Sequence, residues 1–236
     1  MAISRILEPE VMDSKEEALD YNTMDHSQVN RCFVDDFLNA ASREEFHAKL
    51  HRSFENRERA VKLLDAGTGT ALIPIELCGR NTNCHITAID LAGEMLKVAR
   101  QNVIREKFEN RIALELVDSK CIPYEDRSFD AVISNSILHH IPEPSSVLKE
   151  LVRICKQGGL LFVRDLMRPE SEEKLTSLVV DYAGDANDHQ QRMFAESLHA
   201  ALTLDEVQSL LLNLGLPADC VRANSDRHWT ISLTLE

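Results

Sequence analysis

Five short runs rich in apolar and β-branched residues, near 61–66, 84–90, 112–118, 129–135 and 159–165, alternate with helical or mixed stretches. A helix between successive strands lets them run parallel, so the alternation predicts a Rossmann-like, doubly wound α/β sheet with helices on both faces. Pro144 opens the helical run Ser145 to Ile154, which stops at Gly158-Gly159. Glu94 to about Glu106 places Met95, Val98, Ala99 and Val103 on one helical face. The capping box Thr203-Leu204-Asp205-Glu206 starts another helix, ending at Gly215 before Pro217. Beyond Asp219, two β-like runs meet near Ser225-Asp226-Arg227, a link so short that it requires an antiparallel pair. The expected sheet is therefore mixed and seven-stranded.

Residues 1–59 are charged and helical in character, with no β-type run. They are expected to form a helical amino-terminal cap ahead of a domain over 60–236, in which 170–202 is a helical insertion on the substrate side. Within the cap, Tyr21-Asn22-Thr23-Met24-Asp25-His26 precedes Ser27, Gln28, Asn30 and Phe33. This cluster either closes over a ligand or belongs to a surface helix with Ser27 as its N-cap.

In a doubly wound sheet, ligands bind outside the carboxyl ends of the strands. The predicted strands end at Asp65, Asp90, Asp118-Ser119, Ser134-Asn135-Ser136 and Arg164-Asp165, so each delivers polar groups to one edge. After the first strand, Gly67 and Gly69 allow a tight turn and close backbone approach to a ligand. Asp65 beside them sets a negative charge that a diphosphate would oppose. Asp90 lies about 20 residues past the glycines, where a carboxylate accepts from a ribose diol. An edge rich in carboxylates and poor in Lys and Arg suits a cofactor with hydroxyls and a positive charge, such as a sulfonium.

Over roughly residues 60–165 these motifs resemble those of the class I S-adenosylmethionine-dependent methyltransferases. The first reads Leu64-Asp65-Ala66-Gly67-Thr68-Gly69-Thr70, with Thr70 where many members carry a third glycine. Then come Ala88-Ile89-Asp90-Leu91 with Met95, Val117-Asp118-Ser119 with Pro123 and Phe129-Asp130, Ser134-Asn135-Ser136-Ile137-Leu138-His139-His140-Ile141-Pro142, and Leu151 to Gly159. The resemblance implies S-adenosylmethionine as cofactor and S-adenosylhomocysteine as product. Gly67 and Gly69, with Asp65 and Thr68 in the same loop, would hold the methionine part. Asp90, followed by Leu91 and Met95, would hold the ribose, and Asp118 with Ser119 the adenine. Asn135 and Ser136 would line the sulfonium end, and Tyr21 and Met24 would cover the cofactor.

Methyl transfer is an in-line displacement that needs alignment and exclusion of water. Where the acceptor must lose a proton, His140, ahead of His139, is the expected general base. Arg164, Asp165 and Arg168 are expected either on the acceptor side or in a salt-bridged rim. The fourth motif lacks the Asn/Asp-Pro-Pro-aromatic pattern of many nucleobase-amine methyltransferases, and a small-molecule acceptor is expected. The motifs are most similar to the group that includes quinone-biosynthesis methyltransferases. Two other readings stand beside this one: a catalytically silent S-adenosylmethionine-binding or scaffold protein, and an NAD-dependent oxidoreductase. The latter would want a third glycine at the position of Leu72.

The chain has 26 Lys and Arg against 39 Asp and Glu, a net charge of −13. Such a charge argues against nucleic-acid backbones and anionic membrane surfaces as partners. No apolar run approaches the roughly 20 residues that span a bilayer, and the first residues lack a secretion signal's apolar core, so a cytoplasmic location is expected. The six cysteines contain no Cys-x-x-Cys pair, and Asp181, Asp185 and Asp188 read as a solvated helix end. No metal is assigned from the sequence, and it leaves the oligomeric state open.

Overall fold

In a computed structural model of the chain, residues 3–9, 11, 13–24, 26–42, 60–80 and 83–236 are described. Their contacts divide the chain into two units: one of residues 12–135, 147–163 and 232–236, the other of 1–11, 136–146 and 164–231. The strands are β1 (Val61–Ala66), β2 (Cys84–Asp90), β3 (Ile112–Leu116), β4 (Phe129–Asn135), β5 (Cys155–Leu166), β6 (Val221–Ala223) and β7 (His228–Thr234). They form one seven-stranded sheet in the order β3-β2-β1-β4-β5-β7-β6. It is mixed, as expected, because β6 and β7 are antiparallel while β1 to β4 pair in parallel.

In the larger unit, β1 lies between β2 and β4, with Leu64 opposite Thr87 on one side and Val132 on the other. A strand flanked on both edges is buried along most of its length: Val61, Leu63, Leu64 and Ala66 supply its apolar side chains, Asp65 is buried near its end, and Lys62 alone is exposed. Helices α1 (Lys15–Thr23), α2 (Ser27–Ala41), α3 (Leu72–Gly79) and α4 (Gly93–Arg105) belong to this unit. Ser14 and Glu17 close a capping box at the start of α1. The N-cap of α2 is His26 rather than Ser27, which is the first helical residue; no side chain caps this end. Phe33 and Phe37 of α2 meet the Phe162 ring edge-on at centroid distances of 5.2 and 5.8 Å. Each such contact is worth about 0.5–1.5 kcal/mol beyond the area it buries, which anchors α2 on β5. Residues 43–59 of the expected cap lie outside the described residues.

Helix α5 (Pro144–Ile154) ends four residues before Gly158, and β5 begins at once with Cys155. The glycines are therefore not the helix stop that the sequence suggested. They belong to the strand because backbone comes too close for a side chain. A Cβ on Gly159 would stand 2.8 Å from the Lys156 carbonyl oxygen and 2.9 Å from that of Asp130. The same stretch exchanges hydrogen bonds with Leu235, from Gly158 N–H at 2.5 Å and to the Gly159 carbonyl at 3.0 Å.

The smaller unit contains α6 (Glu172–Ala183), α7 (Asp188–Ala200) and α8 (Leu204–Asn213). Leu166, Leu175, Leu178, Leu198 and Ala201 form its apolar cluster. Capping boxes at Asn187/Gln190 and Thr203/Glu206 fix the starts of α7 and α8. Among the described residues, no helix is long and apolar enough to cross a membrane.

Candidate functional site

The turn after β1 carries three left-handed residues within five positions: Gly67 (φ 71°), Gly69 (φ 55°) and Ala71 (φ 63°). Glycine takes this conformation without penalty, and Ala71 costs about 1–2 kcal/mol there. The neighbouring strand end fixes the turn. Gly67 and Thr68 donate their N–H groups to the Ile89 carbonyl, both at 2.9 Å. Asp90 accepts from Gly69 N–H at 2.7 Å on Oδ2 and from Ala92 N–H at 2.9 Å on Oδ1. A carboxylate has about four acceptor positions, so the same acid that ties the glycine turn to the start of α4 suits ribose hydroxyls as well.

Asp65 is buried at the end of β1, with 2% of its surface exposed. Burial pushes its carboxyl up to about 7; the Thr68 hydroxyl works against the shift and the charge of Asp90 adds to it. Tyr21 on α1 approaches the same turn, since a Cβ on Gly69 would lie 3.7 Å from its ring. Burial, then the charges of Asp90 and Asp65, push the Tyr21 phenol up to about 12, which keeps it neutral. Its ring stacks on His26 at 4.5 Å.

Two contacts hold α1 in place. Asn102 on α4 donates to Asn22 of α1 at 2.8 Å, and Asp13, just ahead of the helix, accepts from Glu94 N–H at 2.8 Å; Asn102 also donates to the Thr70 carbonyl of the glycine turn at 3.0 Å. Met24, half-buried, is the C-cap of α1. Met95 is buried on α4, whereas Leu91 is exposed. Asp118 and Ser119 follow β3 half-buried, and Asp118 accepts from Lys120 N–H at 2.9 Å with the Lys120 ammonium at 3.2 Å.

Buried polar atoms are normally hydrogen-bonded, so orphans mark places where a ligand fits. Thr70 Oγ1 and Asn135 Oδ1 are buried in this unit without such a bond. Positive-φ backbone, a carboxylate at the end of β2 and orphaned polar atoms at the ends of β1 and β4 fit a hydroxyl-bearing, cationic cofactor. The residues that would hold it are Asp65, Gly67, Thr68, Gly69, Asp90, Asp118 and Asn135.

In the smaller unit, Ser136 turns the chain in the left-handed region (φ 58°) and donates its N–H to the Arg164 carbonyl at 2.9 Å. Leu138–His140 then form a single 3-10 turn. Asp165, fully buried, holds that turn: it accepts from Leu138 N–H at 2.6 Å, His139 N–H at 3.2 Å, its neighbour Leu166 N–H at 2.6 Å and His139 Nδ1 at 2.5 Å. Glu8 reaches the other side of the histidines, with Oε1 3.4 Å from His139 Nε2 and 3.0 Å from His140 Nδ1. Glu8 Oε1 approaches His140 Nδ1 without the alignment of a hydrogen bond.

Burial disfavours charge on His139, but Asp165 and Glu8 outweigh it and raise its pKa. Against the same burial, His140 and His139 hold the Glu8 carboxyl below its ordinary value. Arg164 donates to Thr230 Oγ1 at 2.9 Å, and Arg168 to the Ala201 carbonyl at 2.8 Å and to Glu206 at 2.5 Å. Both arginines are buried in these contacts. Sequence reading missed Glu8 and Arg5. Arg5 donates to the carbonyls of Ala200, His139 and Ile141 at 2.7, 3.2 and 3.0 Å.

Residues 64–163 match the family described as a methyltransferase domain. Over that stretch the strand order and motif set are those of the class I S-adenosylmethionine-dependent methyltransferases, similar to quinone and other small-molecule methyltransferases. It is 30% identical over 109 residues to the ubiquinone/menaquinone biosynthesis C-methyltransferase UbiE of Geotalea daltonii, covering 46% of each chain. It is 34% identical over 125 residues to the demethylmenaquinone methyltransferase of Porphyromonas gingivalis, covering 49% of this chain and 51% of that one. The chain thus spans about half the length of these curated relatives. Among solved structures, a putative S-adenosyl-L-methionine-dependent methyltransferase from Methanococcus maripaludis shares the fold over 98% of both chains (TM-score 0.57, 17% identity). The [4+2]-cyclase SpnF shares it over 97% of this chain and 87% of its own (TM-score 0.54, 16% identity).

Proposed function

We propose that the chain transfers a methyl group from S-adenosylmethionine to a small-molecule acceptor by in-line displacement. The observation that carries this reading is the Asp90 carboxylate, locked between the Gly69 and Ala92 N–H groups at 2.7 and 2.9 Å. An acid suited to a ribose diol beside a left-handed glycine turn supports the reading, as does the lack of Lys and Arg in the sequence of residues 65–71. The bound cofactor supplies the electrophilic methyl carbon. The chain's own tasks are then to grip the ribose through Asp90, to meet the adenine with Asp118 and Ser119, and to receive the methionine part along residues 65–69. Tyr21 and Met24 cover the cofactor, and Asn135 and Ser136 line its sulfonium end.

Where the acceptor must lose a proton, the His139–His140 pair supplies the base. Asp165 acts as a positioning residue: it fixes His139 with Nδ1 toward itself and Nε2 toward Glu8. Arg164 and Arg168 brace the acceptor side from within. The quinone-biosynthesis likeness of the relatives supports a small aromatic acceptor. The net charge of −13 supports a partner other than nucleic acid, and a cytoplasmic setting accords with it.

A second reading is that the chain binds the same cofactor without transferring its methyl group. The fold shared with a [4+2]-cyclase favours keeping it, since a fold does not fix a reaction. One titration separates the readings. Ligand-stripped protein is titrated with S-adenosylmethionine, S-adenosylhomocysteine and NAD, and then screened for methylated product. Micromolar binding of the first two is expected, and Asp90→Ala should weaken it by about 1.5–3 kcal/mol, tenfold to a hundredfold. Binding of NAD alone, or unchanged affinity in the variant, would overturn the reading. Cofactor binding with no product from any acceptor would favour the silent one.

A further inference from the structure

The segment before α1 and the 3-10 turn after β4 meet in a cluster whose carboxylate, Glu8, has no task in the methyl-transfer reading. Glu8, His139 and His140 each present one ligand atom, and the three atoms lie within 4.8 Å of one another. In a tetrahedral site with bonds of about 2.0–2.1 Å, neighbouring ligand atoms stand roughly 3.3–3.4 Å apart. The Glu8 oxygen is 3.4 Å from His139 Nε2 and 3.0 Å from His140 Nδ1, so one edge already has that length and a second is short of it by a few tenths of an ångström.

The surroundings add what a metal centre needs. A ligating histidine usually donates its second nitrogen to a carboxylate, which fixes the tautomer and aims the other nitrogen at the ion. His139 does this, with Nδ1 on the Asp165 carboxylate at 2.5 Å and Nε2 turned to Glu8. Glu8 is itself steadied by the Ser197 hydroxyl, at 3.2 and 3.4 Å from its two oxygens. The His140 Nδ1 atom is buried without a hydrogen bond, a donor atom with unspent capacity.

We propose that Glu8 Oε1, His139 Nε2 and His140 Nδ1 bind one divalent first-row transition ion, Zn2+ foremost, with Asp165 and Ser197 supporting the ligands. Two imidazoles and one carboxylate suit zinc or cobalt and disfavour magnesium, which wants an all-oxygen octahedron. Three protein ligands leave a fourth position open, the pattern of zinc sites that hold water or substrate. The site stands independently of the methyl-transfer reading. An ion there occupies both imidazole lone pairs, so the pair acts as a general base only when the ion is absent.

The test is metal binding by the whole chain, stripped with a chelator and titrated calorimetrically with Zn2+, Co2+ and Mg2+. We expect one Zn2+ per chain at micromolar affinity or better, no competition from Mg2+, and a cobalt ligand-field spectrum of low coordination number that zinc abolishes. Ser197→Ala should weaken zinc binding about tenfold, the usual cost of losing a supporting hydrogen bond. Glu8→Gln and His140→Gln should weaken it further, with folding checked by circular dichroism. Should either variant fail to fold, the Ser197 variant and the cobalt spectrum of the natural chain decide. A chain that retains no zinc, or variants that bind it as the natural chain does, would overturn the proposal and leave the cluster a buried ion network.

Discussion

Asp65 is an acid whose charge depends on its company. Burial raises its carboxyl to about 7, so near pH 6 it is protonated in the fold and ionised in the unfolded chain. The folded state then binds the extra proton: this group's contribution to stability is present below its unfolded pKa of about 3.9 and is lost as pH rises through 7. A sulfonium or ammonium nearby reverses the preference. Binding of S-adenosylmethionine should therefore release a proton near pH 6, tighten as pH rises toward 7 and level off above it. Titrations in buffers of different ionisation enthalpy would show the release, and Asp65→Asn should abolish it.

The residues of this turn were legible because their signal is local: two glycines, an acid at each of two strand ends, and regular spacing between them. Ala71 was not, because nothing in an alanine's identity announces a left-handed backbone. Glu8 was not either. Its partners lie across the chain, and only folding brings a glutamate beside Pro9 to two histidines that follow β4.

Elements were legible to the extent that burial wrote them in apolar letters. The first four strands stand where the runs of Val, Ile, Leu and Ala predicted, with β3 shorter by two residues. The start of β5 was hidden, because Lys156-Gln157-Gly158 reads as a polar helix end while its backbone pairs with Leu235. The tight approach at Gly159 gives this difference a measurable weight. Gly159→Ala forces a methyl group to within 3 Å of two carbonyl oxygens and the Cys155 sulfur, and should cost about 1–3 kcal/mol. Thermal or urea unfolding would measure it. A loss below half a kcal/mol would mean that the strand yields there.

At the scale of the whole molecule, charge is the property that reaches furthest. With −13 spread over 236 residues, the chain should show no electrophoretic shift of duplex DNA at protein concentrations up to about 100 μM, where even non-specific binders associate. A shift that salt abolishes would reveal a basic surface that the composition conceals. The fold class and the mixed sheet were legible at this scale, since alternation and a short final link leave few topologies. The division of contacts into two units was not, because segments distant in sequence share each unit.

The strand order carries a consequence for synthesis. β6 pairs with β7, which is made after it and lies between it and β5. A nascent chain that has emerged from the ribosome only to residue 227 thus exposes the free edge of β5 and an orphaned β6. The early strands gain nothing from waiting, but this end of the sheet assembles only when the final strand slides in as a wedge. Until then the exposed edge is open to foreign strands.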